Sequence, residues 1–183
     1  MYRSRRICLR AFTENDAKFI MEMKQDFEGL KAAGGRPFPS NENSEREWIS
    51  KMYPNGYLSN FVIESCENQQ FIGYCLASNI NYINRNAHVG FFFHENGRGK
   101  GYFKEAQILF YAYLFNEINL KKVYSYALIY NEIAIQTDKK IGFKEDGIAK
   151  EHIYQGGKYH DALLLSLTKD DFFKIHNLGD YLV

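Results

Sequence analysis

Gly97-Arg98-Gly99-Lys100-Gly101 is the segment of this 183-residue chain whose residue types and spacing most directly imply chemistry. It stands between a β-rich run ending at His94 and a helix-periodic run beginning at Tyr102. Unpaired backbone N–H groups and the positive end of a helix dipole make such a junction an anion site. Glycines let the backbone close around phosphate, and Arg98 and Lys100 add charge at the rim, as a bidentate fork and as a point charge. A P-loop requires GxxxxGK[ST], but here Lys100 is followed by Gly101 and Tyr102, so the magnesium-binding hydroxyl is missing. A dinucleotide site requires GxGxxG after a first parallel strand, and this is GxGxG after a hairpin strand. Nucleoside triphosphates and NAD are thus disfavoured, and a plain turn is the alternative to a phosphate site.

The elements that must position this loop follow from periodicity and punctuation. Residues 8–12 read as a first strand, and Thr13 with Asp16 starts a helix running to about Lys24. Residues 29–43 contain Gly34, Gly35, Pro37 and Pro39 and read as a long loop, after which Ser44 and Glu47 form a capping box for a helix carrying Trp48. Residues 58–65 and 70–78 form a hairpin, and 87–94 a third long strand. The run 102–117 places Ala106, Leu109, Phe110, Tyr113 and Leu114 at helical spacing. Residues 122–128 return as a strand, and Asn131 caps a helix with Ile133, Ala134, Thr137 and Ile141 on one face, ended by Gly142. Residues 148–154 and 159–167 pair across Gly156 and Gly157, and Thr168 with Asp171 opens a last helix. The order β α α β β β α β α β β α implies an α/β (α+β) protein with a mixed sheet covered by helices.

Three motifs then stand in order. Arg98-Gly99-Lys100-Gly101-Tyr102-Phe103 matches [QR]-x-x-G-x-[GA] and leads into Glu105-Ala106; Asn131-Glu132-Ile133-Ala134 with Gly142-Phe143 matches N-x-x-[AS] ending in G-F; Gly157-Lys158-Tyr159-His160-Asp161 with Ser166-Leu167 is a looser ending. In these residues the chain resembles, over nearly its whole length, the GNAT superfamily of N-acetyltransferases, in the branch of the ribosomal-protein amino-terminal and spermidine acetyltransferases. The resemblance implies one acyltransferase domain over 1–183, with a mostly antiparallel twisted sheet of about seven strands and helices on both faces. It also implies direct transfer of an acetyl group from acetyl-CoA to a primary amine.

Carried over residue by residue, the resemblance implies that the backbone amides of Arg98, Gly99, Lys100, Gly101, Tyr102 and Phe103 hold the pyrophosphate of acetyl-CoA. The strand ending Phe91, Phe92, Phe93 would pair with pantetheine, and Asn131 would hydrogen-bond that arm. Phe103 replaces the motif's small residue, which implies a shifted loop or weaker affinity. His88 stands where relatives often carry a glutamate general base, and an imidazole with a pKa of about 6.5 suits that work near neutral pH. Its alternative is a histidine bonded within the sheet. A backbone N–H near Phe92 is the oxyanion donor that the strand offers. Asp138 stands where relatives often place a tyrosine that protonates the departing thiolate. A carboxyl donates at pH 7 only if its pKa is strongly raised, and a solvated helix residue is the alternative. Tyr126, Tyr130 or water could take its place.

The acceptor would lie between residues 29–43 and the last hairpin, with Arg36, Phe38, Glu151 and His152 as specificity candidates and ordinary surface as the alternative for each. Lys31 and Arg36 suit a phosphate- or carboxylate-bearing acceptor, such as a nucleotide-linked amino sugar, better than a polycation, although Glu42, Glu45 and Glu47 stand nearby. A peptide amino terminus is the other acceptor class. A non-catalytic acyl-CoA-binding module, or use of another acyl group, are the rival readings.

Composition bounds the rest. Lys and Arg number 23 against 22 Asp and Glu, a net charge of +1, so no global field recruits nucleic acid or a membrane surface. Arg3, Arg5, Arg6 and Arg10 read as a solvated flank of the first strand. Cys8, Cys66 and Cys75 form no CxxC pair, which suits reduced thiols in a cytoplasm and indicates no cysteine-based zinc site; the chemistry needs no metal. No apolar run approaches the roughly 18 to 20 residues of a membrane helix, and a soluble monomer or homodimer is expected.

Overall fold

The computed structural model describes residues 2–32, 35, 39–52 and 59–182. Seven strands, β1 (Ile7–Arg10), β2 (Asn60–Ser65), β3 (Phe71–Asn81), β4 (Asn86–Phe93), β5 (Lys122–Leu128), β6 (Lys144–Gln155) and β7 (Lys158–Thr168), form one open sheet in the order β1-β2-β3-β4-β5-β7-β6. Every neighbouring pair is antiparallel except β4 with β5. The helices are α1 (Ala17–Gln25), α2 (Phe27–Ala32), α3 (Glu42–Ser50), α4 (Tyr102–Asn116), α5 (Glu132–Ile141) and α6 (Lys169–Ile175).

Strand alternation divides the interior into two cores. Ile63, Cys75, Val89, Val123 and Leu165 pack with α4, α5 and α6 through Leu109, Phe110, Ile135, Ile141 and Phe172. Val62 and Tyr74, one position out of phase, pack on the other face with Ala17, Ile20 and Met23 of α1 and Ile49 of α3. Helices therefore cover both faces, as expected. α4 is buried almost all round, from Ala106 to Ala112 and again at Leu114 and Phe115. Such a helix is anchored along its length and holds its N-terminus in a fixed place.

Local details correct four expectations. β1 ends at Arg10, and Phe12 crosses to the α1 core. The loop expected over 29–43 yields its first residues to α2, where Asp26 Oδ1 accepts the N–H of Gly29 at 3.0 Å. α3 starts earlier than the Ser44–Glu47 box implied. Asn41 Oδ1 accepts the N–H of Ser44 at 3.0 Å, because an Asx side chain three residues upstream caps first, and Glu47 pairs with Lys51 on the exposed side. α5 is turned relative to the expected face: Ile135, Asp138 and Ile141 are buried, and Ile133 is 83% exposed.

The β4–β5 contact defines the functional geometry. Its parallel ladder runs through Asn86–Lys122, Ala87–Val123 and His88–Tyr124. β4 then continues to Phe93 beside β3, and β5 to Leu128 beside β7, so the two strands part beyond His88 and open a gap in the sheet.

Candidate active site

The gap is a cavity of ≈ 160 Å³ walled by 88–92 of β4, 125–128 of β5, Phe103 and Tyr111 of α4, Ala134 and Asp138 of α5, and its N-cap Asn131. A larger hollow of ≈ 550 Å³ lies behind the loop, beside Arg5, Lys104 and Tyr181, but it gathers none of the candidate catalytic groups.

At the gap's outer end the glycine loop enters α4. Gly99 and Gly101 have φ of +72° and +74°, and a Cβ at either would meet nothing within 4 Å. Left-handed glycines flanking Lys100 turn successive amides toward one side, which makes an open anion-binding concavity. Gly101 is also the N-cap of α4 and has no side chain to occupy the first-turn N–H groups.

Two arginines hold the loop from behind. Arg6, read from sequence as solvated flank, donates Nη1 to the carbonyl of Lys100 and Nη2 to that of Gly101, each at 3.2 Å, and pairs with Glu105 through Nε at 2.8 Å. With those carbonyls engaged at the back, the loop's polarity is set. Arg98 does not supply charge at the rim. Its guanidinium donates to the Phe93 carbonyl at 3.1 and 3.0 Å and pairs with Asp26 at 2.5 Å, while its own N–H bonds the Glu95 carbonyl at 3.2 Å. Gly29 makes room for this anchor, since a Cβ there would lie 2.1 Å from Arg98 Nη2. Lys100 stays exposed at the tip. The Phe103 ring packs edge-on to Phe91 at 5.4 Å and Phe93 at 5.3 Å.

The two faces of the gap differ in chemistry. On the α4/α5 face, Asp138 is 8% exposed, which overturns the solvated alternative. Its Oδ1 accepts from Gln107 Nε2 at 2.8 Å and its Oδ2 from Ser125 Oγ at 3.1 Å. Burial pushes the carboxyl above its usual range, against these two hydrogen bonds, which lower it. Asn131 also reaches the gap, where its Oδ1 accepts the N–H of Ala134 at 3.2 Å and caps α5.

On the opposite face, His88 Nδ1 lies 3.1 Å from Ser78 Oγ across the β3–β4 pair. Burial holds its pKa below the usual histidine value, so the ring is neutral at neutral pH. Its ring faces Tyr124 at 5.7 Å and Tyr126 at 5.9 Å, and Tyr126 in turn carries His152 at 4.5 Å. A bulge between Ala149 and Ile153 of β6 swings His152 onto this column. Glu151, at φ +48°, is spent locally, with its N–H on Asp161 Oδ1 at 2.8 Å and its side chain exposed. Tyr130 is drawn to the hairpin by Gln155 Oε1 at 2.8 Å. Phe92 stacks on Tyr74 at 4.9 Å. Arg36 and Phe38 lie outside the described residues.

Comparison with known proteins matches the Acetyltransferase (GNAT) domain family to residues 6–144. The chain belongs to the GNAT acetyltransferases. Among GNAT relatives, spermidine N(1)-acetyltransferase of Vibrio cholerae is 26% identical over 91% of this chain and 95% of its own. The SPbeta prophage-derived uncharacterized N-acetyltransferase YokL of Bacillus subtilis is 25% identical over 91% and 92%. A crystal structure of spermidine N-acetyltransferase from Vibrio cholerae in complex with CoA and spermine shares the fold, with a TM-score of 0.83 at 24% identity over 91% of this chain and 98% of that one. This GNAT protein is therefore an N-acetyltransferase that moves an acetyl group from acetyl-CoA, the family's donor, to a primary amine. The matched GNAT span begins at Arg6 and ends at Lys144, so it contains the loop, the gap and α5 but not the β6–β7 hairpin that brings His152.

The sequence singles out neither Ser125 nor Gln107 and places Arg6 only in a solvated flank. Alternation along β5 puts Ser125 in phase with the core residues Val123 and Ala127, a signal that was available. Arg6 and Gln107 act across 95 and 31 positions of sequence separation and left no local signal.

Proposed function

We propose that residues 1–183 form one acyltransferase domain that acetylates the amine of an amino sugar or a peptide amino terminus, acting in the cytoplasm as a monomer or homodimer. The observation that carries the reading is the opening of the β4–β5 ladder just beyond His88, with the base candidate on one face and the acid candidate on the other. In it, the amides of Gly99 to Phe103 receive the pyrophosphate of acetyl-CoA, with Arg98 serving as anchor rather than ligand. Pantetheine lies along 91–93, where β4 lacks β5 as a partner, and Asn131 borders it.

Acetyl transfer needs a neutral amine, an oxyanion donor and a proton for the thiolate. His88 meets the first need when Nδ1–H donates to Ser78 and leaves the Nε2 lone pair free. Asp138, whose carboxyl burial pushes above its usual range, is the candidate for the third. The acceptor enters past Tyr126 and His152, a mouth of packed rings that suits a sugar or a peptide end better than a polycation.

The test is calorimetric titration with acetyl-CoA, using ATP and NADH as controls, followed by thiol release with amino sugars and peptide amines. Selective acetyl-CoA binding with turnover is expected. Absence of binding would sink the reading, and binding without turnover on any amine would reassign the chain as an acyl-CoA-binding module.

A further inference from the structure

Asp138 is held at both oxygens, by Gln107 from α4 and by Ser125 from β5, so its short side chain is not free to swing toward a reacting group. Gln107 is wholly buried; its Nε2 also lies 3.4 Å from the Tyr111 hydroxyl, and its Oε1 has no hydrogen-bond partner among the described residues. Ser125 is different. It is half-buried, lines the gap, and carries a hydroxyl rotor. We infer that Ser125 relays a proton from Asp138 to the leaving thiolate, and that Gln107 is the positioning residue that fixes the carboxyl for this exchange. The inference rests on the acetyltransferase reading of the gap.

The exchange follows from who donates. With the carboxyl ionised, Ser125 donates to Oδ2 over 3.1 Å. With it protonated, the same contact is donated by Asp138, and the serine hydrogen turns into the gap. When the carbon–sulfur bond breaks, its electron pair leaves with sulfur. Sulfur takes the hydrogen of Ser125, and Ser125 takes that of Asp138. The resulting carboxylate keeps the Gln107 hydrogen bond and regains that of Ser125, until solvent reprotonates it as products leave. The proton shed by the amine goes to His88 and from there to solvent, so each turnover begins and ends with Asp138 protonated and His88 neutral. The other titratable side chains lining the gap are His88 on β4, Tyr111 on α4 and Tyr126 on β5. Among the described residues, no lysine, arginine or second carboxylate pairs with Asp138.

The experiment combines Ser125→Ala, Ser125→Thr and Asp138→Asn with two readouts: pH profiles of kcat and KM, and isotope-edited infrared titration of the aspartate carboxyls in the ligand-free protein. Ser125→Ala and Asp138→Asn should each lower kcat by about 10²-fold, the lower end for general acid catalysis, with KM and acetyl-CoA affinity retained. Both should erase the basic limb of the kcat profile, and Ser125→Thr should restore it. A protonated carboxyl band near neutral pH, lost in Asp138→Asn, is expected. A silent Ser125→Ala in an enzyme that binds and turns over overturns the relay alone, as does an Asp138 ionised in the ordinary carboxylate range. Failure of the unmodified protein to bind acetyl-CoA overturns the acetyltransferase reading and the relay together.

Discussion

The two faces of the β4–β5 gap are built by different means. The α4/α5 face relies on backbone and on anchors: left-handed Gly99 and Gly101, the guanidinium of Arg6 behind them, that of Arg98 beside them, and the buried carboxyl of Asp138. The opposite face is a column of rings, His88, Tyr126 and His152, assembled from three strands through register and one bulge. In the proposed function an invariant ligand part, a pyrophosphate and its arm, is met by amides whose direction the main chain fixes. On the same proposal a variable part, the acceptor, would be met by side chains on an exposed edge hairpin, where β6 and its bulge can change the surface without disturbing the core.

The strongest way to break this comparison is to remove one face at a time. His88→Ala should lower kcat/KM by about 10²- to 10⁴-fold, the span of general base catalysis, with acetyl-CoA affinity kept. The acidic limb should disappear from the pH profile. In the parent that limb should lie below about pH 6.5, because the depressed pKa delays protonation of the neutral base until more acid conditions. A retained limb would assign the base elsewhere. Gly101→Trp should act on the other face alone. A side chain at φ +74° costs about 1–2 kcal/mol of strain but projects into open space rather than into the core. Acetyl-CoA binding should therefore vanish from calorimetry while the cooperative melt survives within about 10 °C. Unchanged affinity would remove the loop from the mechanism.

How much of this could be read from residues alone differs between the faces for the same reason. The glycine loop, its helix and the Asn131 cap are local patterns, and they fall where spacing put them. Asp138 was legible as a position but not as an environment: the expected face ran through Ile133, Ala134, Thr137 and Ile141, whereas Ile135, Asp138 and Ile141 are buried and Ile133 is exposed. Both sets fit a 3.6-residue period, and only packing against Gln107 and Ser125 selects between them. His152 depended on a bulge that shifts the β6 register, and nothing in the alternation of 148–154 marks it. The Arg6 latch joins residues 95 positions apart, beyond any periodicity.

Burial of Asp138 also has a signature in stability. Its folded-state pKa is raised, so the protein gains relative to the unfolded chain while the carboxyl is protonated in both states, below the ordinary value of about 3.9. That advantage is lost as pH rises toward and through the folded-state pKa. Asp138→Asn cannot ionise and should not pay this cost. Its melting temperature relative to the parent should therefore rise between pH 4 and pH 8, and a difference that stays flat would mean the carboxyl is not held protonated.

Smaller effects sharpen the division. Arg6→Leu should weaken acetyl-CoA about tenfold, or ~1.4 kcal/mol, because the loop must then be ordered on binding. Since Arg6 is half exposed, little of this should show in the melt. An equal loss of global stability would mean that the latch serves the fold and not the loop.

His152→Ala is the mildest test and bears on the acceptor face by itself. Its ring lies on Tyr126 at 4.5 Å on an exposed strand, so truncation removes a contact worth about 0.5–1.5 kcal/mol and leaves the core intact. The expected result is a rise of about two- to tenfold in KM for the amine, with kcat, acetyl-CoA affinity and both pH limbs unchanged. Because the β6–β7 hairpin lies beyond the span matched to the family, a change in which amine is preferred is expected from this variant before any change in how fast the chemistry runs. A fall in kcat at constant KM would place His152 in proton transfer and merge the two faces into one machine.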